Sequence, residues 1–106
     1  MRVLTRVRWL KPEEGGRNTP PHGQQYSTVA RFDKQTEEAW RKNAWSLILN
    51  PLGAPDEAWT QTAWVRFLAS EMKAPTDWLC PGSRFALFEG SNKAAEGVVL
   101  ERGDLK

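Results

Sequence analysis

The side chains able to do chemistry are few, and their spacing limits what they can do. The one histidine, His22, lies in Pro20-Pro21-His22-Gly23, and the one cysteine, Cys80, in Leu79-Cys80-Pro81-Gly82. A cysteine nucleophile needs a base beside it, and nothing in the chain places the sole imidazole next to the sole thiol. Cys80 therefore reads as a small core or turn residue, and His22 as a solvated loop side chain. Metal sites of the usual kinds draw on several His, Cys or carboxylate ligands, so no metal ligand is assigned. The carboxylate pairs Glu13-Glu14 and Glu37-Glu38 lack the apolar setting that would lift a pKa into the range for acid–base work. Gly15-Gly16 is without the GxxxxGK spacing of a phosphate-binding loop. These features predict a protein that is not an enzyme, with no catalytic residues, no cofactor and no bound nucleotide.

What remains is binding chemistry. The net charge is only +2, but residues 1–31 hold six Lys or Arg against two Glu, leaving the rest of the chain acidic. Arg2, Arg6, Arg8, Lys11 and Arg17 could meet a phosphate backbone, or could simply be charge on the solvated side of a sheet edge. Six tryptophans are many for 106 residues. Trp40, Trp59, Trp64 and Trp78 fall in or beside loops, or opposite the apolar face of a strand. Exposed rings of this kind suit an interface, where tryptophan is enriched among the residues that dominate affinity. The alternative is that they fold back as caps on the core.

The elements that would position these residues are mostly strands. Val3, Thr5, Val7 and Trp9 alternate with Arg2, Arg6 and Arg8, the period of a half-buried strand. Residues 11–25 hold three Pro and three Gly and predict a long ordered loop with no helix. Alternation resumes over Tyr26–Phe32, Ala44–Leu49, Thr62–Leu68 and a hairpin of 84–89 with 93–101. Within 33–42, the pairs Glu37/Arg41 and Glu38/Lys42 are spaced four apart and predict one short helix. Val7, Phe32, Leu47, Val65, Phe85 and Val99 are the expected inward residues. About six short strands with turns between them make a sandwich or small barrel in a single domain of residues 1–106.

Two phrases sharpen that reading. Glu13-Glu14-Gly15-Gly16-Arg17 follows the first strand, and Arg84-Phe85-Ala86-Leu87-Phe88-Glu89-Gly90 leads into a final Gly97-Val98-Val99. In this order they resemble the EEGGR loop and RFAxxEG hairpin of the third domain of elongation factor Tu. The resemblance implies an antiparallel β-barrel of about six strands, non-catalytic, in a free-standing bacterial relative. In that family the domain contacts the T-stem backbone of aminoacyl-tRNA and an exchange-factor protein. Arg17, Glu89 and Gly90 fall on positions near the tRNA. The chain departs from the pattern at Tyr26-Ser27-Thr28-Val29-Ala30, where the family has GYRPQF, and at Ser91, where it has the second glycine of REGG.

Two functions follow as expectations. The favoured one is a protein-interaction module that binds through Trp40, Trp59, Trp64, Trp78 and the 11–25 loop, a class that includes small regulatory and immunity proteins. The alternative is an RNA-binding module using Arg6, Arg8, Lys11, Arg17, Glu89 and Gly90. A single cysteine permits no internal disulfide, which suits a reducing cytoplasm. No apolar run approaches the ~18 residues of a membrane-spanning helix. The arginines threaded through the first ten residues break the apolar stretch that a secretory signal needs.

Overall fold

The alternating segments become six antiparallel strands: β1 (Val3–Trp9), β2 (Tyr26–Phe32), β3 (Trp45–Pro51), β4 (Thr60–Phe67), β5 (Arg84–Glu89) and β6 (Asn92–Arg102). They close into a barrel in the order β1-β4-β3-β2-β5-β6. The structure, a computed structural model, describes residues 1–21, 23–70 and 72–103. His22 lies outside the described residues. The first and last strands pair directly, with Val7 opposite Gly97 and Trp9 opposite Ala95, so no sheet edge is left open. At one rim, here the upper rim, β1, β3 and β5 end and β2, β4 and β6 begin.

The period-two pattern sets which side chains fill the barrel. Val7, Phe32, Leu47, Val65, Phe85 and Val99 are all buried in the core, as their alternation predicts, together with Trp9, Leu49 and Leu87. Thr5 shares that face and meets its hydrogen-bonding need by donating to the Ala63 carbonyl at 2.9 Å. Gly97 is an inward position without a side chain, and Phe85, its cross-strand partner, fills the space. A Cβ at Gly97 would stand 2.4 Å from the Phe85 ring.

The connections differ from expectation in small ways. The helix α1 is confined to Glu37–Lys42, with Thr36 accepting from the Ala39 amide at its start. The 11–25 loop opens with one turn of 3₁₀ helix, Pro12–Glu14, where no helix was expected. Proline is suited to the first position of a helical turn, since its missing N–H would be unpaired there anyway. The Glu14 carboxylate then reaches back to the Lys11 amide at 3.0 Å. Cys80 is exposed in a turn closed by Ser83 N–H donating to the Cys80 carbonyl at 2.9 Å.

Candidate partner-binding site

The upper rim gathers the 11–25 loop, the β3–β4 connection and the β5–β6 turn. Trp59 stands at its centre. Among the described residues it is the one non-glycine with a left-handed backbone, at φ 62°. For a bulky side chain that conformation is an outlier costing about 1–2 kcal/mol. Local hydrogen bonds impose it. The Asp56 carboxylate accepts from the amides of Ala58 and Thr60, both at 2.9 Å. The Trp59 amide donates to the Asp56 carbonyl at 2.9 Å, and the Trp59 carbonyl accepts from the Trp9 amide at 2.8 Å. The turn thus aims the carbonyl at β1 and leaves the indole half-buried over the barrel mouth, packed against the core.

Around this ring lie Pro20 and Pro21 of the long loop, with Pro55 and Asp56 beside it, forming a notch of about 200 Å³. That is below the roughly 300–1,000 Å³ of ordinary small-molecule sites. The Lys11 ammonium sits 5.6 Å from the Trp59 ring centre and donates to the Glu57 carbonyl at 3.2 Å. Beneath the ring, Trp9 Nε1 donates to Gln61 Oε1 at 2.7 Å, and Gln61 Nε2 donates to the Gly53 carbonyl at 2.6 Å. A buried polar chain therefore ties the β3–β4 connection to the core.

The two phrases behind the family likeness meet at the same rim. Gly15 takes φ 85° to end the 3₁₀ turn, and Gly16 lies so close to Leu10 that a Cβ would stand 2.1 Å from its carbonyl oxygen. This packing delivers Arg17 to Glu89, 72 residues away, where Arg17 Nη1 and the Tyr26 hydroxyl both donate to Glu89 Oε2. Arg17 also donates to the Thr19 carbonyl at 2.9 Å. Burial, and then the bond to the Glu89 carboxylate, push the Tyr26 phenol up to about 12. Gly90 supplies the positive φ, 65°, at the first residue of the two-residue turn between Glu89 and Asn92, as a type II′ hairpin requires.

The four tryptophans do not form one exposed patch. All are half-buried, and each carries a cation over its ring. Trp78 caps the lower rim against Phe32, at 5.4 Å between ring centres, under Lys34. Trp64 lies on the outer wall of β4, with the Arg2 guanidinium 3.9 Å above it and the Gly103 backbone against its edge. Trp40 anchors α1 on the wall. Its Nε1 donates to the Ala30 carbonyl at 2.9 Å, and its ring meets Phe88 at 4.9 Å. The expectation of exposed rings is corrected accordingly: each indole is partly buried in the fold, with one basic side chain near its ring rather than open solvent on all sides. Only Trp59 shares its place with the 11–25 loop.

The residues expected to contact RNA are also divided. Lys11, Arg17, Glu89 and Gly90 are at the upper rim, whereas Arg6 and Arg8 project from the wall. Arg8 is held by Glu14 at 2.9 Å and Glu96 at 3.1 Å. The bond from Lys93, and then that from Arg8, hold the Glu96 carboxyl below the usual range. The Lys11 amide, and then Arg8, do the same for Glu14. Gln61 and Tyr26 were missed as site-building residues. Both lie on regular alternating positions, and nothing local marks a polar tip that will meet a partner dozens of residues away.

Compared with known proteins, the chain matches no family model and no curated sequence. Among the described residues no helix is long and apolar enough to cross a membrane, and no group of three or more His, Cys, Asp or Glu stands ready for a metal ion.

Proposed function

We propose that the chain is a non-catalytic interaction module whose partner is another protein, bound at the upper rim through Trp59 and the 11–25 loop. The observation that carries this reading is the left-handed backbone of Trp59. Backbone strain at a bulky residue persists only where the surroundings over-determine it, and such positions cluster at functional sites. The strain keeps a half-buried indole at a proline-lined notch too small for most ligands, yet sized for one apolar side chain of a partner. Such an anchor, ringed by polar groups, is the usual centre of an interface.

The test is co-purification from the native host at low and moderate salt, after nuclease treatment, with wild type, Trp59→Phe and Trp59→Gly as baits. The expected result is one protein retained by wild type and Trp59→Phe and lost with Trp59→Gly. Retention of the same proteins by all three baits would overturn the proposal, as would recovery of nucleic acid in place of protein from an untreated sample.

A further inference from the structure

A second surface lies on the barrel wall, away from the rim. Register brings Arg6 of β1, Val98 of β6 and Arg84 of β5 into one row across three strands. Both arginines are exposed. Among the described residues neither guanidinium has a hydrogen-bond or ion-pair partner, while the side chains of their neighbours Arg8 and Lys93 are both held by Glu96. Neighbouring strands are about 4.8 Å apart, so the two guanidinium stems rise roughly 10 Å apart with only Val98 between them.

This row is one end of a continuous trough. A depression at Arg6, Arg84 and Glu96 shares residues with a second one over Ala86 and Lys93, which in turn shares residues with a third at Arg31 and Phe88. The floor is low because Val98 and Ala86 are small and Gly97 has no side chain. Five cationic side chains line it against two acidic ones, Asp33 and Glu96. At the far end the Phe88 and Trp40 rings meet at 4.9 Å, with the Arg31 guanidinium 5.9 Å from the Trp40 ring centre.

We infer that this trough binds the backbone of a single-stranded nucleic acid, with Arg6 and Arg84 on phosphates and a base on the Phe88–Trp40 platform. A cationic groove tracking the backbone and ending on aromatic rings is the general arrangement for single strands. A duplex would need its bases unpaired to reach those rings. The inference is independent of the protein partner proposed at the upper rim, and it reassigns the RNA contacts from Arg17 and Glu89, which hold each other, to the wall.

The experiment is fluorescence anisotropy of the whole chain with labelled oligouridine and oligothymidine of about 12 nucleotides and an RNA duplex of equal length. Single strands are expected to bind at low salt, and the RNA and DNA arms decide which is preferred. Arg6→Ala/Arg84→Ala should lower affinity and flatten the salt slope by about 1.4, two phosphates at ~0.7 each. Phe88→Leu, which keeps apolar cover on the wall, should weaken binding roughly tenfold through lost stacking. Arg66→Ala/Lys73→Ala removes the same charge elsewhere and should change neither slope nor affinity by a comparable amount. No binding at low salt, equal losses from both double variants, or preference for the duplex would each overturn the inference.

Discussion

Trp59 offers a direct test of whether its backbone is strained, through the relative stability of its alanine and glycine variants. Both remove the indole, so the loss of its packing on the core cancels between them. What differs is the cost of φ 62°. An L-residue with a Cβ carries about 1–2 kcal/mol there, whereas glycine adopts it freely but loses roughly 0.5–1 kcal/mol more conformational entropy on folding. The balance leaves Trp59→Gly more stable than Trp59→Ala by about 0.5–1 kcal/mol, or roughly 2–8 °C in Tm for a domain of this size. At an ordinary strand position the order is reversed. Thr62, exposed on β4, is the internal control: Thr62→Ala should be more stable than Thr62→Gly. Urea unfolding followed by the remaining tryptophans gives both differences. An alanine variant at 59 as stable as the glycine variant, or more so, would refute the argument that local hydrogen bonds force the left-handed turn.

Other outcomes follow from the same geometry. Gly97→Ala should cost about 1–3 kcal/mol by overpacking against Phe85, and Phe85→Leu should recover part of that loss in the double variant, read by denaturant midpoints. Gln61→Leu should destabilise by about 1–3 kcal/mol, because the buried Trp9 indole N–H loses its acceptor, measured by thermal unfolding. Tyr26 is the only tyrosine, so its ionisation can be followed by tyrosinate absorbance. Its folded pKa of about 12 lies above the unfolded value near 10. Its contribution to stability should therefore be complete below pH ~10 and be lost as pH rises toward ~12, and Glu89→Gln should shift the titration downward.

The strands could be read from the chain because alternation is a local property. Val7, Phe32, Leu47, Val65, Phe85 and Val99 each sit among neighbours of opposite polarity, and a strand leaves only two faces to choose from. Turn residues were readable for a similar reason: Gly90 lies between two apolar runs, where a tight turn needs a positive φ. The exposure of the tryptophans was not readable in this way. An indole on an outer face is covered or bare according to which stem lies on the next strand, and Arg2 reaches Trp64 only because β1 pairs with β4.

Strand order and register were the tertiary structure's alone to decide. Pairing β6 between β1 and β5 places Arg6 and Arg84 on either side of Val98, though they are far apart in the chain. Closing the barrel brings Arg17 to Glu89 and so gives the two family-like phrases a shared structural role. The left-handed turn at Trp59 is likewise invisible in Asp56-Glu57-Ala58-Trp59, since it exists only when Asp56 can accept two amides and Trp9 can donate to the Trp59 carbonyl. Local pattern determined which residues face the core. Long-range pairing, which must overcome the entropy of closing each loop, determined which surface residues became neighbours.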